Sequence, residues 1–247
     1  MESKFKLPTE TVELPSKGLL YPEDSPLAKG TIEMKYMTAK EEDILTNRNY
    51  IADGTVIDRL LKSLITTEGI DFNQLLVGDK NAIMIAARIL AYGKDYTITL
   101  NTGEKHTVDL SAFAEKPLHP SIEQNKTNDF KFTLPHSGNE VTFKLLTQLD
   151  EITIEKELTG LKKIDKQSSP EVTTRLKAII TSVNNIREQK DIRDFVDNYI
   201  LAKDARALRA EYAKIQPDID LTLNIEGVEE GTTLPIGLDF FWPDSRI

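Results

Sequence analysis

The order of motifs along this chain repeats, and the repeat constrains the fold more than any single motif does. A first copy contains Leu14-Pro15-Ser16-Lys17-Gly18, and a second contains Leu134-Pro135-His136-Ser137-Gly138. Each is followed by a run that is apolar at alternate positions. The runs are Ile32, Met34 and Tyr36 ending at Thr38, and Val141, Phe143 and Leu145 ending at Thr147. Period two suits a strand with one buried face. Lys35 and Lys144 fall at the same offset in the two runs. Thr38 and Thr147 each precede an acid by three residues, Glu41 and Asp150. That spacing reads as a capping box: the hydroxyl takes a free N–H of the first turn, and the carboxylate reaches back to the cap's own N–H. Aspartate is the shorter acid, so the second box is expected to be weaker. Helices are expected from these caps to near Asn47 and Leu158.

Both copies continue with helices and close on a hairpin. Val56, Leu60 and Leu64 share one helical face, and Val172, Leu176, Ile179, Ile180 and Val183 form a stripe at helical spacing. Ser169-Pro170 reads as a cap with a first-turn proline. Two further segments follow in each copy, 72–76 and 80–91, then 192–201 and 205–215, with Asp79 and Asp204 as caps. Tyr96, Ile98 and Leu100 alternate, turn at Asn101-Thr102-Gly103 and return through Val108 and Leu110. Ile219, Leu221, Leu223 and Ile225 alternate, turn between Gly227 and Gly231, and return through Leu234, Ile236, Leu238 and Phe240. These are hairpins by pattern and turn chemistry. The expected fold is α+β and internally duplicated, with lobes at 1–118 and 129–247, a polar linker at 119–128, and a pseudo-two-fold relation between the lobes. The basic, serine-rich stretch 162–169 reads as a loop.

With 247 residues, no cysteine and a net charge of −9, the chain has no disulfide, no thiolate metal site and no cysteine nucleophile. An apolar fraction of 39% favours a large interface or solvated surface over a dense core. No apolar run approaches the ~20 residues that span a bilayer. The charged start lacks the apolar stretch of a signal peptide, so a soluble, cytoplasmically made protein is expected. The acidic balance argues against duplex-DNA binding, which wants a basic stripe.

Several segments carry a resemblance. They are Leu14-Pro15-Ser16-Lys17-Gly18-Leu19-Leu20-Tyr21-Pro22, Met37-Thr38-Ala39-Lys40-Glu41-Glu42 and Leu75-Leu76-Val77-Gly78-Asp79. Arg88, Tyr92-Gly93 and the closing Phe240-Phe241-Trp242-Pro243 complete the set. In their order and total length they resemble the T4-like bacteriophage baseplate hub family, which includes the hub subunit and the hub assembly catalyst of contractile tails. The resemblance implies cysteine pairs at the hairpins, as in zinc ribbons. This sequence departs from it: Asn101-Thr102-Gly103-Glu104 and Asn224-Ile225-Glu226-Gly227 hold no such ligands. Structural zinc needs about four Cys or His ligands, so the hairpins are expected to be zinc-ribbon-like without metal.

Chemistry-bearing motifs are sparse. The chain lacks a phosphate loop, a dinucleotide fingerprint, a two-histidine zinc helix and a Gly-x-Ser-x-Gly elbow. His106, His119 and His136 fall in a hairpin, a proline-flanked linker and a turn, a pattern of loop histidines more than of a metal site. Glu41-Glu42-Asp43 reads as first-turn acids favoured by the helix dipole, with a general-acid cluster as the alternative. Ser16 or Ser137 could pair with a histidine only across distance. Lys162, Lys163 and Lys166 read as solvated, with an acidic partner or nucleic acid as the alternative. The acidic C-terminal stretch 218–247 also holds Phe240, Phe241 and Trp242. In a strand, Phe241 would point opposite to Phe240. Phe241 is then either an outward anchor beside Trp242 or buried on a second covered face.

These readings combine into a non-enzymatic component of a phage baseplate hub, either a virion subunit or a transient assembly chaperone. A hub-associated hydrolase is the rival. The expected partners are other hub and tail proteins, with no small-molecule substrate, cofactor, metal, nucleic acid or membrane. The expected location is the tail baseplate, with the host cytoplasm during assembly. Lys17 and Tyr21 in the first turn, and Phe241 and Trp242 at the far end, are the candidate partner contacts.

Overall fold

Alternating apolar residues produce the first sheet as expected. In the computed structural model, which describes residues 7–100, 103–164, 170–223, 225, 229 and 231–242, β1 (Thr9–Glu13) pairs antiparallel with β2 (Thr31–Lys35). Ile32 and Met34 point into the core, 1% and 0% exposed. Three helices follow: α1 (Ala39–Leu45), α2 (Arg48–Ala52) and α3 (Val56–Leu64). A short 3-10 turn at Phe72–Gln74 leads to α4 (Val77–Tyr92) and the hairpin of β3 (Asp95–Thr99) and β4 (Lys105–Asp109). The remaining elements are α5 (Pro120–Asn125), β5 (Phe130–Thr133), β6 (Glu140–Phe143), α6 (Gln148–Ile164), α7 (Glu171–Ile179), β7 (Ile180–Val183), α8 (Gln189–Asn198) and α9 (Ala202–Ile215). The fold is mixed α+β, with small antiparallel sheets between helices.

The same local contacts recur in both stretches. Val12 sits opposite Ile32, and Phe132 opposite Val141. The turn after each outer strand closes alike, Leu14 N–H to Gly30 C=O at 2.8 Å and Leu134 N–H to Asn139 C=O at 2.9 Å. Met34 bridges Ile65, while Phe143 pairs with Ile180. Each threonine box forms. Glu41 accepts from the Thr38 N–H at 3.0 Å, and Asp150 from the Thr147 N–H at 2.9 Å. Aspartate is long enough here. The two equivalent lysines reach the same carboxylates, Lys35 to Glu41 at 2.8 Å and Lys144 to Asp150 at 2.7 Å. Strand, cap and acid are thereby tied into one unit.

Three expectations need correction. The helical stripe from Val172 to Val183 breaks: α7 ends at Ile179, and 180–183 become β7. Three β-branched residues among these four, Ile180, Thr181 and Val183, and the open edge of β6 favour strand over helix there. Val172 is 46% exposed. Within the polar stretch 119–128 a short helix forms. Pro120 occupies the first turn of α5 behind the His119 cap, and Ile122 is fully buried. Among the described residues, the C-terminal hairpin shows one isolated bridge, Thr222 with Thr233, before a 3-10 turn at Leu238–Phe241. Asp79 and Asp204 lie inside the first turns of α4 and α9 rather than capping them. The expected turns at Asn101-Thr102 and at Asn224 and Glu226-Gly227, the Ser169 cap, and Lys166 lie outside the described residues.

Buried apolar residues of both stretches form one continuous core, from Leu14 through Ile83 to Phe143 and Leu208. Among the described residues, no helix is long and apolar enough to cross a membrane.

Candidate functional site

The turn at 14–21 is built around a buried acid. Gly18 has φ of +77°, and a Cβ there would lie 2.4 Å from the Ala28 carbonyl oxygen, so only glycine closes this turn. The closed turn aims Ser16 and Tyr21 at Asp79, which is 1% exposed. Asp79 accepts from the Ser16 N–H at 2.9 Å, the Ser16 hydroxyl at 2.6 Å and the Tyr21 hydroxyl at 2.6 Å. The Tyr21 oxygen in turn accepts the Leu76 N–H at 2.9 Å. Burial pushes the Asp79 carboxyl up, the three donors pull it down, and nearby Asp218 adds to the rise; the net shift is upward. Tyr21 is raised as well, by burial and by the Asp79 charge.

The second stretch repeats the fastening with backbone donors. Asp204, fully buried, accepts the N–H groups of His136 at 2.8 Å and Ser137 at 3.0 Å. Burial works against its charge, but these donors prevail and hold it below the usual aspartate value. The sequence places the two acids and the two turns in matching positions. Nothing in the sequence alone pairs each acid with its turn, because an acid early in a helix also reads as a cap.

The two stretches meet at an antiparallel bridge between Leu76 and Thr147. Val77 N–H donates to Leu146 C=O at 3.1 Å, and Gln148 N–H to Leu75 C=O at 2.8 Å. Tyr212 supports the second side, its hydroxyl accepting the Leu146 N–H at 3.1 Å. Lys80 links Asp58 at 2.8 Å to the Gln148 side chain at 2.7 Å. Beside this bridge Gly78 meets Pro217 so closely that a Cβ would lie 1.7 Å from the Pro217 carbonyl oxygen. Among the described residues, the reciprocal bridge between 200–202 and 37–39 is not formed, so this contact runs one way, head to tail.

The four candidate contact residues fall in two places, Lys17 and Tyr21 in the 14–21 turn and Phe241 and Trp242 at the 238–242 turn. Lys17, at φ +51°, is held by Glu13 at 2.9 Å and Glu115 at 2.6 Å. Tyr21 is 8% exposed and committed to Asp79. Phe241 is fully buried, because the chain enters a 3-10 turn there instead of a strand and both phenyl rings turn inward. Phe240 and Phe241 pack edge to face at 5.5 Å, and Phe240 lies 5.0 Å from Tyr96. Arg88 Nε donates to the Phe240 C=O at 3.1 Å. Of the two readings of Phe241, the structure supports the buried one. Trp242 is 36% exposed.

The histidines have separate settings. His119 caps α5 and sits 2.7 Å from the Ser121 hydroxyl, His136 gives its N–H to Asp204, and His106 Nε2 is 3.9 Å from Glu104. Among the described residues, no group of three or more His, Cys, Asp or Glu is arranged to hold a metal ion. Glu41 is fully buried. Burial would raise it, but bonds from Lys35, Thr38 and Ser63 outweigh that and hold it at about 2. Lys162 and Lys163 are exposed at the end of α6.

The chain is thus a mixed α+β protein whose buried acids Asp79 and Asp204 fasten its own turns. Over residues 8–242 the chain matches the family model described as T4 bacteriophage base plate protein, and it belongs to that family. It is thus a protein of the phage tail baseplate, working among other baseplate proteins. Neither curated proteins nor solved structures gave a match.

Proposed function

We propose that the chain is a structural component or assembly factor of the baseplate hub, acting by binding other hub and tail proteins and not by catalysis. The family match across 8–242 carries this reading. The side-chain chemistry supports it: the acids that burial would most readily recruit to catalysis, Glu41, Asp79 and Asp204, are occupied by the chain's own donors. Trp242, exposed at the edge of a buried aromatic pair, and Lys17, on the outside of the first turn, are the partner contacts within this reading. Aromatic side chains are enriched at the energetic centres of interfaces.

Mass spectrometry of purified phage tails and of the soluble fraction of infected cells tests the proposal. A fixed ratio to hub proteins in tails identifies a structural subunit. Presence only in the soluble fraction, bound to unassembled hub proteins, identifies an assembly factor that acts in the host cytoplasm. Absence of hub proteins from its complexes in both samples would overturn the hub assignment.

A further inference from the structure

The bridge that joins the two stretches uses one edge from each and leaves two matching edges open. Leu201 stands three residues before Asp204, as Leu76 stands three before Asp79; Thr38 stands three before Glu41, as Thr147 stands three before Asp150. Residues 200–202 thus occupy the place of 75–77, and 37–39 the place of 146–148. The exposures differ as an unfilled junction requires. Leu76 is 4% exposed and Leu201 49%; Gln148 is buried and Ala39 exposed. Among the described residues, no hydrogen bond engages the Ile200 C=O, the Ala202 N–H, the Met37 C=O or the Ala39 N–H. These are the counterparts of the four groups that make the Leu76–Thr147 bridge.

The geometry points to a head-to-tail contact between two copies of this chain, with 200–202 of one copy pairing antiparallel with 37–39 of the next. Ala39 N–H would donate to Ile200 C=O, and Ala202 N–H to Met37 C=O. The occupant is a second copy because this chain carries both halves of the pairing and already makes the same bridge internally. Unpaired backbone edges are templates for such addition. The contact is heterologous, so each added copy leaves one edge open at either end, and the assembly grows or closes into a ring. It is weaker than the internal junction. Lys203 stands where Gly78 stands, so the close backbone approach of Pro217 has no counterpart, and Ala205 replaces Lys80 of the polar link. Reversible association at high local concentration follows. This inference does not depend on the hub assignment.

Two proline substitutions remove one donor each at little expense to the fold. Ala39 and Ala202 are the first residues of α1 and α9, where proline is well tolerated. The preceding residues, Thr38 at φ −117°, ψ 172° and Leu201 at φ −69°, ψ 144°, already have the extended backbone that proline demands. Sedimentation equilibrium of the full chain, up to about 1 mM to reach weak specific association, should show concentration-dependent oligomers. Ala39→Pro, Ala202→Pro and Leu201→Asp should each abolish them while circular dichroism stays unchanged. An equimolar mixture of Ala39→Pro and Ala202→Pro should recover dimers and nothing larger, since each keeps the edge that the other lacks. A wild-type chain that stays monomeric throughout overturns the inference. So does association that survives all three substitutions, or a folded mixture that fails to dimerise. If Ala39→Pro loses its fold, the two changes at 201 and 202 decide alone: loss of oligomers supports the contact, and their persistence overturns it.

Discussion

Glu41 joins a strand, a cap and a neighbouring helix through Lys35, Thr38 and Ser63, and it does so as a carboxylate. Its folded value of about 2 lies below the ordinary 4.5. The stability it lends is therefore fully present above pH 4.5 and is lost as pH falls through about 2. Glu41→Gln should lower unfolding free energy by about 1.5–3 kcal/mol at neutral pH, the range for hydrogen bonds to a charged group. Urea titrations of both proteins across acidic pH should show the gap closing below pH 4.5. A gap that stays constant with pH would show that the charge is not what matters. The two junction tyrosines give an ordering test. The Tyr21 hydroxyl serves both a buried carboxylate and the Leu76 N–H, whereas Tyr212 serves the Leu146 N–H. Tyr21→Phe should cost about 2–4 kcal/mol and Tyr212→Phe about 1–2, because unsatisfied buried groups cost roughly 1–3 each. Equal losses in urea unfolding would contradict this accounting.

The glycines of α4 and α6 separate packing from propensity. Gly78 faces the Pro217 carbonyl with no room for a Cβ, while Gly160 inside α6 has nothing within 4 Å. Gly78→Ala should force α4 away from 215–218 and destabilise by several kcal/mol, on the order of the overpacking range of 1–3 or more. Gly160→Ala should stabilise by about 0.5–1 kcal/mol through helix propensity alone. Thermal unfolding of the pair checks both signs. The elements that the sequence disclosed are those with local causes: the alternation of Ile32 and Met34, the boxes at Thr38 and Thr147, and the hairpin from Tyr96 to Val108. Those it hid depend on distant partners. Ile180 to Val183 continues a helical stripe until the edge of β6 captures it as a strand. Phe241 reads as outward only if the chain stays extended, and a 3-10 turn removes that premise. Asp79 and Asp204 read as caps because nothing in their own neighbourhood names the turn that each holds.

The one-way junction has a consequence for how the chain unfolds. The second stretch does not merely touch the first; its C-terminal part lies along α4 and the β3–β4 hairpin. Lys116 N–H donates to Asp218 C=O at 2.8 Å, Asp220 N–H to Ala114 C=O at 2.8 Å, and the Asn81 amide to the Asp218 carboxylate at 3.0 Å. Arg88 and Tyr96 are covered by Phe240. Leu75 and Leu76 are buried where the start of α6 adds its bridge. An isolated 1–118 fragment would lose these covers together, leaving apolar side chains and backbone groups of α4 and its approach in water. Such a fragment should aggregate or remain without near-ultraviolet circular dichroism. The full chain should melt in one transition with calorimetric and van't Hoff enthalpies equal, since a shared core has no boundary at which to divide. A pair of resolved transitions in scanning calorimetry, or a folded monomeric 1–118 fragment, would mean that the contacts at Asp218, Asp220 and Phe240 add little to the stability of the first stretch. In that event the two stretches would behave as autonomous units tethered through α5, and the repeated contacts within each, from Val12–Ile32 to Lys35–Glu41 and from Phe132–Val141 to Lys144–Asp150, would be sufficient for folding by themselves.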